Sequence, residues 1–156
     1  MYDKDDRFPC RKHPRLKNYD YSSPNYYFVT ICTQGKVCLF GSPDQLNERG
    51  VAARNGILQI ESHFQNVEVD KFVVMPNHVH MVLILRGEGA SLSTVIGQYK
   101  SAVVRKIRET EPNCNVWQTS FHDHIIRNQQ SYEKIWLYIE ANPWSWDKDC
   151  FYQAVQ

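Results

Sequence analysis

The segment at residues 73–85, which reads VVMPNHVHMVLIL, is almost entirely apolar and yet carries His78 and His80. Side chains alternate along a strand, so both imidazoles would point to one face while Val79 points to the other. A buried imidazole without a partner costs free energy, so something must satisfy both rings. The pair therefore predicts either two hydrogen-bonded core histidines or two ligands of one divalent ion, and the spacing alone leaves both interpretations open.

The elements around this segment predict an α+β fold. Their order is strand, helix, strand, strand, helix, strand, which matches the split βαβ pattern of a ferredoxin-like antiparallel sheet with helices on one face, and a C-terminal helix is added. Pro76 and Asn77 join the second and third strands as a hairpin or a kinked continuation, and Ser91 is the expected N-cap of the second long helix. The predicted bounds are strands over 26–33, 67–76, 78–85 and 116–127, and helices over 47–66, from Ser91 onward, and over 131–141.

The size and composition predict one globular domain. The chain has 156 residues, of which 42% are hydrophobic and 22% charged. Residues 1–25 read as a basic arm and residues 26–156 as the domain. No run is long and apolar enough for a membrane span, and the start has no apolar signal-peptide region. Five cysteines without a CxxC pair argue against a disulfide framework and a thiolate zinc site and favour a reducing, cytoplasmic location.

Positive charge is concentrated in two runs although the net charge is only +1. Such runs are either solvated faces or contacts to nucleic acid phosphates. The first run, RKHPRLK, contributes Arg11, Lys12, Arg15 and Lys17; the second, KSAVVRKIR, contributes Lys100, Arg105, Lys106 and Arg108.

The last helix places one tyrosine apart from the others. Ser131, Lys134, Tyr138 and Asn142 fall at helical spacing on one face, whereas Ile135 and Ile139 lie on the natural core face. Tyr138 therefore either packs as an ordinary aromatic residue or presents its hydroxyl for chemistry.

Several stretches, taken together and in order, resemble the REP-associated tyrosine transposases of the single-tyrosine HUH superfamily. MPNHVH is similar to the metal-binding HUH motif of that family, WQTSFHDHIIR resembles the stretch after the second helix, and YIEANPW resembles the motif that carries the nucleophile. RKHPRLKNYDYSSPNYYFVTICT is similar to the N-terminal segment of one branch. The likeness extends from about residue 7 to 149, nearly the whole chain.

The resemblance implies a role for each matching residue. His78 and His80 would bind a divalent ion, Mg²⁺ or Mn²⁺, although imidazoles also bind zinc. Tyr138 would be the nucleophile, and Asn142 would stand where a third metal ligand is expected. Lys134, one helical turn before Tyr138, is a candidate for activating the phenol, with a surface lysine as the alternative. Arg127 is a further candidate for contact with the DNA backbone.

The implied activity is cleavage and rejoining of single-stranded DNA beside a hairpin, through a covalent 5′-phosphotyrosine. Two alternatives remain open from the sequence: a regulator of the same fold that binds palindromes without cutting, and a metal-dependent hydrolase that ignores Tyr138. The expected partner is hairpin DNA, with no membrane association, and the chain would act as a monomer or a homodimer.

Overall fold

The computed structural model describes residues 25–155, so the basic arm lies outside the described residues except for Asn25. These residues form four strands and four α-helices, with a 3-10 turn after the first strand and a 3-10 helix after the last α-helix. The elements are β1 (Asn25–Cys32), α1 (Glu48–Leu58), α2 (Ile60–His63), β2 (Val67–Met75), β3 (His78–Leu85), α3 (Leu92–Arg108), β4 (His122–Ile126), α4 (Gln129–Ala141), and the 3-10 segments Gln34–Lys36 and Asn142–Lys148.

The four strands form one antiparallel sheet in the order β2-β3-β1-β4. β2 and β3 are joined at Pro76 and Asn77 as a hairpin, with Met75 opposite His78. The two central strands, β1 and β3, are rich in aromatic and branched side chains, which pack well on a pleated surface. This arrangement confirms the predicted ferredoxin-like α+β fold.

The two faces of the sheet are covered by different helices. Alternate residues of β1 and β3 build the larger core with α1 and α3, and the residues between them pack against α4. Ser91 caps α3 by accepting a hydrogen bond from the Thr94 N–H, as predicted. The first core includes Tyr27, Val29, Ile31, Val79, Met81 and Leu83, and the second includes Phe28, Val82, Ile126, Ile135 and Ile139. His78 and His80 belong to the α4 face, since they alternate with Val79 and Met81.

Two predicted elements are shorter than expected. The helix predicted over 47–66 divides into α1 and α2 at Gln59, and α2 packs against β2. The strand predicted over 116–127 is regular only in β4, preceded by an isolated bridge between Thr33 and Trp117. Between the bridge and β4, two backbone carbonyls accept hydrogen bonds from a side chain and not from a neighbouring strand. Lys100 Nζ donates to Gln118 O at 2.6 Å and to Thr119 O at 3.2 Å.

Two predictions from composition, on membrane spans and on the cysteines, can be compared with the described residues. None of their helices has the length and apolar character needed to span a bilayer. Cys32, Cys38 and Cys114 are free thiols.

Candidate active site

The two histidines lie at the start of β3 with no exposed surface. Their ring centroids are 4.4 Å apart, and the neighbouring strands place Cys32 and Met75 beside His78. Burial lowers the pKa of His78 to about 4, although the Asp149 carboxylate opposes this shift. Burial and the neighbouring His78 lower the pKa of His80 well below its ordinary value. Both imidazoles are therefore neutral at pH 7, which is the form that binds metal ions.

Asn77 determines which nitrogen of His78 carries the proton. The Asn77 amide nitrogen donates to two backbone carbonyls, those of Lys36 at 3.1 Å and Phe151 at 2.7 Å. Its oxygen must therefore face His78 Nδ1, 2.8 Å away, and can only accept. A neutral His78 then has its proton on Nδ1 and a lone pair on Nε2. In the sequence, the one signal for this role of Asn77 is its position directly before the histidine pair.

His80 has a comparable partner across the sheet. Thr30 of β1 pairs with it, and Thr30 Oγ1 lies 2.8 Å from His80 Nδ1. When Nδ1 donates to this oxygen, Nε2 of His80 also carries a free lone pair. Hydrogen bonds of this kind orient histidines that ligate metals.

Tyr138 stands beside the histidine pair in the same chain. α4 packs on this face of the sheet through Ile135 and Ile139, and the Tyr138 ring centroid lies 5.4 Å from that of His80. The pKa of Tyr138 is raised above its ordinary value, first by burial and then by the charge of Asp149, while a hydrogen bond with Asn142 opposes the shift. The phenol is thus protonated at neutral pH in this state of the site.

The chain following α4 closes the site and brings in a residue that sequence reasoning missed. Asn142 is 2% exposed, and its amide nitrogen donates to Asp149 Oδ2 at 2.7 Å. The other oxygen of Asp149 accepts from the Phe151 N–H at 2.8 Å. Asp149 Oδ2 lies 3.9 Å from His78 Nε2, and the side chains of both residues are fully buried. No motif or spacing in the sequence singled out Asp149.

The unsatisfied polar atoms of the described chain converge on this site. Four buried side-chain nitrogen or oxygen atoms of residues 25–155 have no hydrogen-bond partner, and three of them are His78 Nε2, His80 Nε2 and Asn142 Oδ1. The fourth is Nε1 of Trp146, whose ring lies 6.1 Å from that of His78. An unsatisfied buried polar atom costs about 1–3 kcal/mol, so the cluster is explained most simply by a ligand that it is built to hold.

The donor types suit a divalent metal ion. One ligand atom from each of His78, His80 and Asp149 can be chosen so that all three lie within 4.8 Å of one another. Two imidazole nitrogens with amide and carboxylate oxygens form a mixed set that Mn²⁺ accepts well and Mg²⁺ accepts through its oxygen members.

The predicted basic residues of α3 are not brought to this site. Arg105, Lys106 and Arg108 are exposed on α3, which packs on the opposite face of the sheet. Lys106 pairs with Glu109, and Arg108 Nε donates to Cys114 O. Lys100 is used to hold the loop before β4. Three of these basic side chains, but not Lys106, border a surface groove lined by Gln34, Lys100, Ser101, Val104, Arg105, Arg108 and residues 115–119.

This basic groove reaches the end of the sheet where the histidines lie. Gln34 lies two residues after the end of β1, and the last residue of β1, Cys32, is paired with His78. The groove and the histidine pair therefore lie on opposite faces at the same end of the sheet.

The remaining predicted residues are placed as follows. Lys134 and Arg127 are exposed, one on α4 and the other just after β4. Arg11, Lys12, Arg15 and Lys17 lie outside the described residues.

A basic residue that the sequence analysis did not select lies near the site. Lys36 has a left-handed backbone with φ of 53°, and its charge contributes to lowering the pKa values of His78 and His122. Its backbone carbonyl accepts from Asn77, so the turn that carries Lys36 is tied to the histidine pair. Strained backbone of this kind is often found at functional sites.

Comparison with known proteins identifies the family. The sequence model of IS200-like transposases matches residues 43–142. An uncharacterized protein of Haemophilus influenzae is 32% identical over 91% of this chain and 93% of its own length. A putative REP-associated tyrosine transposase of the same organism is 24% identical over 82% of this chain and 76% of its own length.

Among solved structures, a REP-associated tyrosine transposase bound to a REP hairpin has the same fold. The TM-score is 0.60 at 19% identity, covering 85% of this chain and 74% of the other. The family match covers most of the domain, including the histidine hairpin and the helix that carries Tyr138. With its ordered motifs and its ferredoxin-like sheet, this chain belongs to the IS200-like transposase family.

Proposed function

We propose that this protein cleaves and rejoins single-stranded DNA beside a hairpin through a covalent bond to Tyr138. The observation that carries the proposal is the proximity, within one chain, of a tyrosine and two neutral histidines with free Nε2 atoms. The REP hairpin held by the related structure supports a hairpin with a single-stranded flank as the substrate class. A DNA substrate would also be consistent with the expected cytoplasmic location.

The reaction is a transesterification at phosphorus. Tyr138 Oη forms a bond to the phosphorus, and the bond from phosphorus to the 3′ oxygen of the preceding nucleotide breaks. The phenol gives up its proton and the departing 3′ oxygen takes one, which leaves a 5′-phosphotyrosine and a free 3′-OH. One phosphodiester replaces another, so rejoining needs no nucleotide triphosphate.

His78, His80 and Asn142 would hold the divalent ion. When bound, it supplies Lewis-acid stabilisation of the charge that develops on the phosphate oxygens. The residues of the chain contribute the rest. Asn77 and Thr30 keep the two rings oriented, and α4 holds the Tyr138 hydroxyl beside them.

Basic side chains on both faces of the sheet would bind the DNA backbone. Lys36 lies at the rim of the site, and the α3 groove with Arg105 and Arg108 is suited to phosphates farther along the substrate. Lys134 in α4 and Arg127 just after β4 are exposed. Lys134 remains a candidate for activating the phenol, and Arg127 remains a candidate for contact with the DNA backbone.

An adduct assay tests the proposal. A labelled hairpin oligonucleotide with a single-stranded flank is incubated with the protein and Mn²⁺ or Mg²⁺, and covalent complexes are resolved under denaturing conditions. We expect an SDS-resistant adduct that is lost in Tyr138→Phe and in the presence of a chelator. Tyr132→Phe is the matched control: Tyr132 lies on the same helix, where it is hydrogen-bonded to Asp70, and the adduct should persist.

The alternatives give different results in the same assay. Gel retardation of the hairpin with no adduct under any metal condition would support a regulator that binds without cutting. Cleavage that survives Tyr138→Phe would support a hydrolase that uses activated water. Either result overturns the proposal.

A further inference from the structure

Asp149 is a fully buried carboxylate whose charge has no strong partner in the described chain. Its hydrogen-bond donors, the Asn142 amide and the Phe151 N–H, are neutral. Among the described residues, the basic group within ion-pair distance is the His78 imidazole, whose Nε2 lies 3.9 Å away and makes no hydrogen bond. A buried carboxylate without a cation is costly, because hydrogen bonds replace only part of its lost hydration.

The position of Asp149 gives this charge a use. Its Oδ2 lies 3.9 Å from the free Nε2 of His78, and His80 is the second nitrogen donor of the same group. The carboxylate is held from both sides, since Asn142 binds one oxygen and the Phe151 backbone binds the other. We propose that Asp149 is an anionic metal ligand that joins His78, His80 and Asn142.

The consequence concerns when the metal binds. Two imidazoles and an amide are all neutral, so a site made of them alone relies on the DNA phosphate to balance the divalent charge. A carboxylate in the ligand set supplies part of that balance from the protein, so the ion is held before DNA arrives. It also ties the segment after α4, which carries Asp149, to the start of β3.

Metal binding without DNA tests this inference. Mn²⁺ is titrated into the full chain, and the free ion is followed by its aqueous electron paramagnetic resonance signal. We expect Asp149→Asn to weaken Mn²⁺ binding roughly 10–100-fold, the range seen when groups around metal sites are removed. Asp147→Asn is the matched control, because Asp147 is an exposed carboxylate two residues earlier and should leave the affinity unchanged.

Circular dichroism in the presence of a chelator tests whether the variants fold. A second variant tests directly whether residue 149 contacts the metal ion. In Asp149→Cys, a thiolate at this position should bind the softer ion Cd²⁺ and give an ultraviolet cadmium–thiolate absorption band. Wild type and Asp147→Cys supply the background from the other thiols. Folded Asp149→Asn with wild-type Mn²⁺ affinity overturns the inference, as does folded Asp149→Asn with tighter binding, which would mean that the carboxylate competes with the ion. If Asp149→Asn does not fold, absence of the band in Asp149→Cys overturns it.

The inference rests on the metal site of the proposed function but not on its cleavage step, and the two can fail separately. Mn²⁺ binding that depends on Asp149, in a protein that forms no DNA adduct, would retain the ligand assignment and remove the proposed reaction. An adduct that requires Tyr138, in a protein whose Mn²⁺ affinity does not depend on Asp149, would retain the proposed reaction and remove the ligand assignment.

Discussion

At the scale of single residues, the site depends on hydrogen-bond partners that determine which nitrogen of each histidine carries the lone pair. Thr30 touches His80 Nδ1 at 2.8 Å and is 1% exposed, so its hydroxyl has no access to bulk water. Thr30 is therefore a positioning residue in the proposed site.

Thr30→Val removes this hydrogen bond while nearly preserving volume. We expect the Mn²⁺ affinity to fall about tenfold, in the range measured for such supporting groups, because the His80 ring loses its orientation and preferred tautomer. Mn²⁺ titration measures the change. Tyr99→Phe is the control, since Tyr99 is also buried and its hydroxyl donates to the Ala53 carbonyl in the core on the other face of the sheet. Equal loss of affinity in both variants would point to general destabilisation.

Burial of His78 predicts a pH dependence of the metal-free protein. A histidine in the unfolded chain titrates near pH 6.5, whereas the pKa of folded His78 is lowered to about 4. Between these values the unfolded state binds more protons, so the free energy of unfolding should decrease as the pH falls from about 6.5 to about 4. The contribution of His78 is fully present above pH 6.5.

Urea unfolding in a chelator, repeated at several pH values, measures this decrease. His78→Gln should show a shallower dependence than wild type. His63→Gln makes the same substitution at an exposed position of α2 and serves as the comparison. If the free energy of unfolding of His78→Gln depended on pH as steeply as that of wild type, the decrease could not be assigned to His78.

At the scale of elements, close approach of the chain decides where glycine is needed. A Cβ on Gly50 of α1 would meet the backbone oxygen of Phe40 at 2.4 Å, whereas a Cβ on Gly97 of α3 would meet nothing within 4 Å. Both glycines are helical, so they differ in packing and not in secondary structure.

Gly50→Ala should therefore lower the free energy of unfolding, although alanine favours helices by about 1 kcal/mol over glycine. Gly97→Ala should raise it by about 0.5–1 kcal/mol for the same propensity reason without the clash. Urea denaturation of the two variants beside wild type measures both changes. Stabilisation by Gly50→Ala would show that Phe40 moves aside without cost.

At the scale of the whole molecule, the sheet separates the proposed catalytic groups from the α3 groove. The histidines and Tyr138 lie on the α4 face and the basic groove lies on the other, both at the end of the sheet where β1 ends. In the proposed function, a folded hairpin would wrap around this end of the sheet, with one part in the groove and the strand to be cut at the site.

Arg105→Glu should weaken hairpin binding and reduce the steepness of its salt dependence by about one phosphate contact. Mn²⁺ affinity should stay unchanged, since α3 is across the sheet from the histidines. Fluorescence anisotropy with a labelled hairpin at several salt concentrations measures the effect. Arg54→Glu makes the same change of charge on an exposed position of α1 and should have a smaller effect. Equal losses in the two variants would indicate attraction by overall charge and not by the groove.

Local periodicity was enough to predict the architecture and part of the candidate site. Alternation along β3 placed His78 and His80 on one face, and helical spacing placed Tyr138 and Asn142 together, because both patterns depend only on backbone geometry within one element. The order of the elements predicted the sheet. The break at Gln59 and the shortened β4 escaped prediction, since packing and the Lys100 side chain decided where those elements end.

The sequence by itself determined the fold class, the shared face of the two histidines and the resemblance that led to Tyr138. Only the tertiary structure decided that Asp149 joins them, that Asn77 and Thr30 hold the rings, and that the basic face of α3 lies across the sheet. The physical reason is that these relations form between segments distant along the chain, where no spacing carries information and packing alone determines which side chains meet.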